Sequence, residues 1–523
     1  MWRFKGLNKM NIVDLVEKNA RLYPDEIAYV EIRPVSKVRK DISWIQFHEQ
    51  TNRIANIFLD KGIEKGRSVL LLGKNAISWL VAYFAVLKTG AWIVPLNFRF
   101  TEDDILYCAA VAEPIAFIFD ETLEKKIEKI RQSVSSIKHY FSINQGPLEG
   151  IEPLEKLLEE GSADSPESSL RNDDSCALYF TSGTTGDPKP VLLTHANFMC
   201  IAAGEAVNNN IKHTDCFLMM PPLYHLAIGH LLGVLIQGGR TVLLTEKIAP
   251  GYILESIDKE RISLLFLLVP WALDLLESLD KGENSKDDYD LKSWRRTVMG
   301  AQAVPPSVVH RLKEYFPKIP YSTVYGLSES GGPGIIYLGV ENEQKIGAIG
   351  KANMLWDARI VDRDGRDVKQ GDVGELIVKG NGVMREYYKN PELTAQSIRE
   401  GWLYTGDLAK MDDDGFIFLV DRKKDIVICG GENIFPIEVE EIIRQHQKVY
   451  DVAVIGTPDE RLGEIVTAVI QLKSGKSLSH EEINAFCEEK LPRYKRPRSI
   501  IFDTVPRSAT GKIEKPKLRK KYC

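Results

Sequence analysis

Residues 43–97 switch hydrophobic period several times, and this constrains the fold more than any other feature of the 523-residue chain. Ser43–Lys61 places Trp44, Phe47, Ile54, Ile57 and Phe58 at helical spacing and stops at Gly62. Ser68–Leu72 is a compact apolar run before Gly73, the pattern of a strand buried on both faces. Ser78–Lys88 reads as a helix ending near Gly90, and Trp92–Pro95 as the next strand. Strand, helix and strand in this order predict a doubly wound α/β sheet.

Further strands are expected at Leu178–Phe180, Thr241–Leu244, Leu264–Val269 and Thr297–Met299, with an exposed polar loop over Glu159–Asp174. The pattern then changes. From Ala348 to Leu419 the strands come in pairs around Asp364-Gly365 and Asp414-Gly415, which predicts antiparallel sheet. The charged patch Asp421–Asp425 is the candidate boundary. Beyond it, Pro436–Gln447 and His480–Glu488 read as helices, and Val452–Ile455, Ile465–Leu472 and Ile500–Asp503 as strands. The expected organisation is a large domain over 1–420, a hinge over 421–425 and a small α+β domain over 426–523.

Composition narrows the function. The net charge of -5 and pI near 6.1 exclude the basic footprint of a nucleic-acid binder. The seven cysteines are scattered, with no CxxC or Cys/His cluster, so neither a disulfide framework nor structural zinc is expected. The longest apolar runs, Trp79–Leu87 and Leu264–Leu273, are too short to cross a bilayer. The N-terminal residues carry charges and no signal-length apolar core, and the final residues RKKYC match no lipidation address. A soluble cytoplasmic protein with no membrane span is expected.

The stretch YFTSGTTGDPKP, Tyr179 to Pro190, follows an apolar strand. Gly183 and Gly186 permit tight turns, Thr181, Ser182, Thr184 and Thr185 supply hydroxyl and N–H donors, and Lys189 adds a positive charge. Such a loop suits a triphosphate. It is not a Walker A loop, because the spacing to the lysine differs and Pro188 intervenes.

This stretch resembles the signature of the adenylate-forming superfamily, which includes acyl- and aryl-CoA synthetases, luciferases and adenylation domains of peptide synthetases. Other segments match in the family's order: AVLKTGAWIVPLN from Ala85, PPLYHLAIGH from Pro221, VYGLSES from Val324 and GELIVKG from Gly374. YTGDL from Tyr404, DRKKDIVICGGENIFPIEVE from Asp421 and PRSATGKIEKPKLR from Pro506 follow. The likeness spans nearly the whole chain. Two positions depart from the family pattern: Pro190 stands where a glycine is usual, and so does Asp421.

The resemblance implies doubly wound sheets plus a distorted β-barrel in the large domain, and a mobile small domain. It implies a ligase that joins a carboxylic acid to AMP, using ATP and Mg²⁺, and then passes the acyl group to coenzyme A. Thr181, Ser182, Gly183, Thr184, Thr185, Gly186 and Lys189 would hold the β- and γ-phosphates. Ser328 would donate to the α-phosphate and Glu329 would bind Mg²⁺. Tyr325 would stack on adenine, and Asp407 and Arg422 would hold the ribose. Lys512, ordinarily a solvated charge in a basic tail, would bridge carboxylate and α-phosphate. Lys424 would be the hinge, whose rotation withdraws Lys512 and brings Gly430 and Gly431 to the pantetheine channel.

His225 would gate the acyl pocket, lined by Trp271, Gly300, Ala301, Tyr325 and Gly326. The segment Leu223–Leu226 lacks the Asp that grips an amino acid's amine in peptide-synthetase domains. A short, medium, alicyclic or aromatic acid is therefore expected over an α-amino acid or a long fatty chain. The resemblance allows a homodimer. Alternative readings are an enzyme loading a separate carrier protein, or an inactive nucleotide-binding homologue.

Overall fold

A computed structural model describes residues 10–143, 150–167, 169–181, 188–338, 343–508 and 511–523. The helix expected from Ser43 runs over Trp44–Asp60, and Ser43 caps it: its side chain accepts from Gln46 N–H while the Gln46 side chain returns the bond. The helix Ile77–Thr89 is buried over nearly its full length, from Trp79 to Thr89. A helix apolar all round has to be enclosed. It packs on strand Trp92–Leu96 of one sheet and strand Ile27–Arg33 of another, so it lies between two sheets.

Those sheets form the large domain. One has nine strands, with parallel pairing from Ile27–Arg33 through Arg240–Leu244, Cys216–Met219, Leu264–Phe266 and Arg296–Met299 to Tyr321–Leu327. The other has eight strands, with Ser68–Leu72 between Trp92–Leu96 and Ala116–Phe119. A third sheet of five antiparallel strands, including Gly374–Gly380, Trp402–Met411 and Ile417–Arg422, occupies the region where hairpins were expected. Gly365 and Gly415 take φ of +79° and +80° in its turns.

One expected element is shorter than read. The strand from Leu264 ends at Phe266, and Val269–Asp280 is helical. Pro270 in the first turn has no N–H to give a sheet ladder and presets a helical φ, so the apolar run divides there.

The last residues form a four-strand path, with Gly463–Leu472 between Val427–Cys429 and Val449–Asp459, and Ser499–Phe502 added in parallel. This unit has its own core around Ile434, Val439, Val454 and Ile470. It also encloses an ion pair, Lys515 Nζ to Glu440 Oε1 at 2.9 Å, with Glu440 accepting from Val454 N–H at 2.8 Å. Lys515→Met would strand the buried carboxylate and is expected to lower stability by about 3–5 kcal/mol, with partial recovery in a Lys515→Met/Glu440→Gln pair. Urea unfolding of the three proteins measures both effects. Among the described residues no helix is long and apolar enough to cross a membrane.

Candidate active site

Strands of three sheets carry the expected residues that the structure describes in the large domain. Thr181 ends strand Ser175–Thr181 and pairs directly with Lys189 at the start of Lys189–Thr194. The residues between them that carry phosphate assignments, Ser182, Gly183, Thr184, Thr185 and Gly186, lie outside the described residues. Pro190 sits inside this hairpin, opposite Phe180, and its carbonyl accepts from Tyr388 N–H at 2.8 Å. A proline is thus accommodated beside a third strand, Glu386–Tyr387, that adds to the edge.

Lys189 Nζ stands 5.5 Å from the centre of the Tyr387 ring, and Tyr387 Oη donates to Glu329 Oε1 at 2.8 Å. The tyrosine therefore joins the phosphate-loop lysine to the metal-ligand candidate. The sequence reading missed it, since REYYKN carries no signal of its own.

Ser328 and Glu329 form the tip of the hairpin between Tyr321–Leu327 and Gly332–Leu338. Ser330 Oγ accepts from Leu327 N–H at 2.8 Å and closes the tip. Gly331 has a φ of +69°, and a Cβ there would lie 2.0 Å from the Gly382 carbonyl oxygen, so only glycine fits.

Tyr325 and Asp407 meet across the sheets: Tyr325 Oη donates to Asp407 Oδ2 at 2.7 Å, and Arg422 Nε lies 3.2 Å from Oδ1. Asp407 and Arg422 are opposed residues of an antiparallel pair, which fixes their spacing. Burial, and then the Asp407 charge, hold the Tyr325 phenol well above its ordinary pKa, so it remains a donor.

Lys512 comes to this cluster from the small domain. Its side chain keeps exposed surface, and the charges of Arg422, Asp407 and Glu329 all act on it. Enclosure, and then Arg422, lower its pKa, against the pull of Asp407 and Glu329. His225 is half-buried and pushed down to about 3 by enclosure, with Lys512 as the second cause. It is therefore neutral at physiological pH. It tilts against Tyr224, ring centres 4.5 Å apart.

The acyl-pocket candidates cluster beside this. A Cβ on Gly300 would lie 2.6 Å from the Val324 carbonyl and 3.5 Å from Phe266 Cζ. Ala301 takes a left-handed φ of +66°. Gly326 sits beside Tyr325, where the hairpin register shifts. Trp271 packs partly buried between two cores. Behind Phe266 lies a pair the sequence did not reveal. His230, its ring 4.3 Å from Phe266, faces buried Glu205 at 3.1 Å.

At the boundary, Asp421 and Arg422 still belong to the strand Ile417–Arg422, and Lys423 N–H donates to the Gly406 carbonyl at 3.0 Å. Lys424 is the first residue beyond that bond, and burial lowers its ammonium pKa to about 8. Asp421 is buried and accepts from Arg422 N–H and from Ile437 N–H at 2.7 and 2.9 Å. It thus caps a helix of the small domain from a strand of the large one. Burial raises its pKa to about 6. Gly430 and Gly431, at φ +59° and +89°, turn the hairpin Val427–Ile434; a Cβ on Gly430 would lie 3.2 Å from Leu462 Cδ2, whereas one on Gly431 would meet open space.

Among the described residues no cluster of three or more His, Cys, Asp or Glu could cage a metal. Glu329, with one oxygen on Tyr387 and no hydrogen bond to the other among the described residues, fits Mg²⁺. That ion takes one or two carboxylates and completes its shell with water and phosphate.

The chain belongs to the AMP-binding enzymes: that family matches residues 16–388, and the AMP-binding enzyme C-terminal domain matches 438–512. It is similar to the long-chain-fatty-acid–CoA ligase FadD13 of Mycobacterium tuberculosis, 30% identical over 98% of both chains. Its fold matches the anthranilate CoA ligase AuaEII in complex with anthranoyl-AMP, with a TM-score of 0.90 and 25% identity over 98% of both chains. It also matches the Bacillus subtilis o-succinylbenzoate coenzyme A synthetase in complex with ATP and magnesium ion. There the TM-score is 0.82 with 26% identity, over 97% of this chain and 98% of that one.

Proposed function

We infer that the protein is an ATP-dependent, AMP-forming ligase that activates a carboxylic acid as its acyl-adenylate and transfers the acyl group to coenzyme A. The observation that supports the residue roles is the Tyr325–Asp407–Arg422 cluster, with the charges of Arg422, Asp407 and Glu329 acting on Lys512 and Lys512 acting in turn on His225.

Both reactants of the first step are anions, so the protein has to supply positive charge where phosphate and carboxylate meet. Lys512 and Lys189 provide it, and Ser328 donates to the α-phosphate. Asp407 accepts from the ribose hydroxyls while Arg422 and Tyr325 fix its carboxylate. Glu329 would hold Mg²⁺, which neutralises phosphate charge when bound. Neutral His225 lines the carboxylate's entry without adding repulsion or a competing charge. The carboxylate oxygen attacks the α-phosphorus and pyrophosphate leaves. A thiolate then attacks the acyl carbonyl and AMP leaves. The second step needs Lys512 gone and a channel open, which a turn at Lys424 provides.

The acid we propose is compact, aromatic or alicyclic. Two bulky side chains support this: Trp271 packs partly buried between two cores, and Phe266 Cζ would lie 3.5 Å from a Cβ placed on Gly300, which leaves little room for a long chain. The enzyme would act in a reducing cytoplasm, where its unpaired cysteines persist. The test is AMP formation over a panel of aryl, alicyclic and fatty acids with ATP, Mg²⁺ and CoA. Turnover that needs free CoA and favours ring acids supports the proposal. Adenylation without CoA-dependent AMP release contradicts the CoA assignment, and preference for long fatty acids contradicts the pocket.

The lowered Lys512 pKa has a kinetic consequence. Adenylation should fall as pH rises, through a limb below the ordinary lysine range, because the cation is lost. Lys512→Arg should move that limb upward, since a guanidinium stays charged. A pH–rate profile of both proteins checks this.

A further inference from the structure

The turn that presents Lys512 is anchored by a residue with no assigned role. Arg507 is mostly buried, and its Nε and Nη2 donate to Asp451 Oδ2 and Oδ1 at 2.7 and 2.8 Å. That is a planar fork on a buried carboxylate. Its remaining nitrogen, Nη1, reaches two acceptors. One is the carbonyl of Gly511, the residue before Lys512. The other is Gln302 Oε1, at 2.6 Å.

These partners come from different parts of the chain. Asp451 and Gly511 belong to the small domain. Gln302 belongs to the large one and follows Ala301, whose backbone is left-handed and which the resemblance puts at the acyl pocket. Gly511 makes a second contact across the same boundary: its φ is +80°, and a Cβ there would lie 3.1 Å from Pro270 Cδ. The Lys512 turn is therefore seated at two points, one steric and one polar.

A lysine side chain has a long flexible stem, so its ammonium is placed by the backbone that carries it. An ångström of displacement at a reacting centre is enough to lower a rate about 100-fold. We propose that Gln302 and Arg507 form a docking latch that positions Lys512 for adenylation and is broken when the small domain turns. The proposal rests on the reading of Lys512 given above. Arg507 touches no reacting atom in this reading and acts through Lys512, so it is a positioning residue. The bond from Gln302 can exist only while the small domain sits as it does here. The bonds to Asp451 and Gly511 lie within the small domain and persist in either arrangement.

That difference separates a latch from mere stabilisation of the small domain. Gln302→Met keeps the side chain's size and leaves Asp451 untouched. It is expected to lower acid-dependent ATP–pyrophosphate exchange about tenfold. Thioester formation from preformed acyl-adenylate and the unfolding temperature should stay as in the parent. Arg507→Lys, which keeps the charge and loses the fork, should lower exchange as well, and adding Gln302→Met to it should change little more. Lys512→Ala is run beside them. If Lys512→Ala abolishes exchange while Gln302→Met leaves it intact, the latch is refuted and the role of Lys512 stands. Equal loss of both half-reactions in Gln302→Met, or full additivity with Arg507→Lys, also refutes it. Intact exchange in Lys512→Ala refutes the underlying reading itself.

Discussion

Lys512→Ala is expected to lower acid-dependent adenylation by about 100–1000-fold, the usual loss when one preorganised charge-stabilising donor is removed from a reacting centre. The geometry explains why so much should rest on one side chain. Arg422 is engaged with Asp407 at 3.2 Å, His225 is neutral, and Lys189 stands by Tyr387 on the phosphate-loop side. That leaves Lys512 as the cation free to stand between the acid and the α-phosphate among the described residues of the cleft. It belongs to none of the hydrophobic cores, so its removal leaves them untouched. The thiol-transfer half-reaction, started from synthetic acyl-adenylate, should proceed at nearly the parent rate. Stopped-flow or quench measurement of each half separates the two. Equal losses would mean that Lys512 serves the cleft in general rather than the first step.

Glu329→Gln should have the next largest effect. The amide is the same size and still accepts from Tyr387 Oη, which lies 2.8 Å from Glu329 Oε1, so the hairpin tip is preserved. What is lost is the negative charge that a hard divalent cation requires. Adenylation should fall about 100-fold at fixed magnesium, and the magnesium concentration for half-maximal rate should rise at least about tenfold. The removed charge also acts on Lys512. Losing it should shift the alkaline limb of the pH profile to lower pH, because one partner that raises the lysine's pKa is gone. A magnesium titration at several pH values reads both changes. An unaltered magnesium requirement would move the metal away from Glu329.

Much of this was legible in the chain because it is local. Glycine-punctuated apolar runs located the helices Trp44–Asp60 and His480–Glu488, the latter at its observed bounds, and the strand Ser68–Leu72. Asp407 and Arg422 were recognisable from short motifs, but their pairing depends on the register of two strands. What the sequence hid is contact between distant segments. Tyr387 and Glu329, Gln302 and Arg507, and Glu205 and His230 are partners only after the sheets and domains assemble. Glu329, His230 and Arg507 lie inside recognisable motifs, yet none of the six carries a local signal of its partner. The strand at Leu264 was overrun for a related reason. Leucines and valines suit both strand and helix, and Pro270 alone carried the change. Asp421 departs from the family's usual glycine, and only the structure gives it work, as the cap of a helix across the domain boundary.

The most direct measurement of the central claim is ATP–pyrophosphate exchange by the purified full chain with Mg²⁺, across a panel of carboxylic acids and without CoA. The account predicts exchange that is negligible without acid and rises with at least one compact ring acid. If no acid in the panel raises exchange above the acid-free level, the protein does not make an acyl-adenylate and the account is wrong.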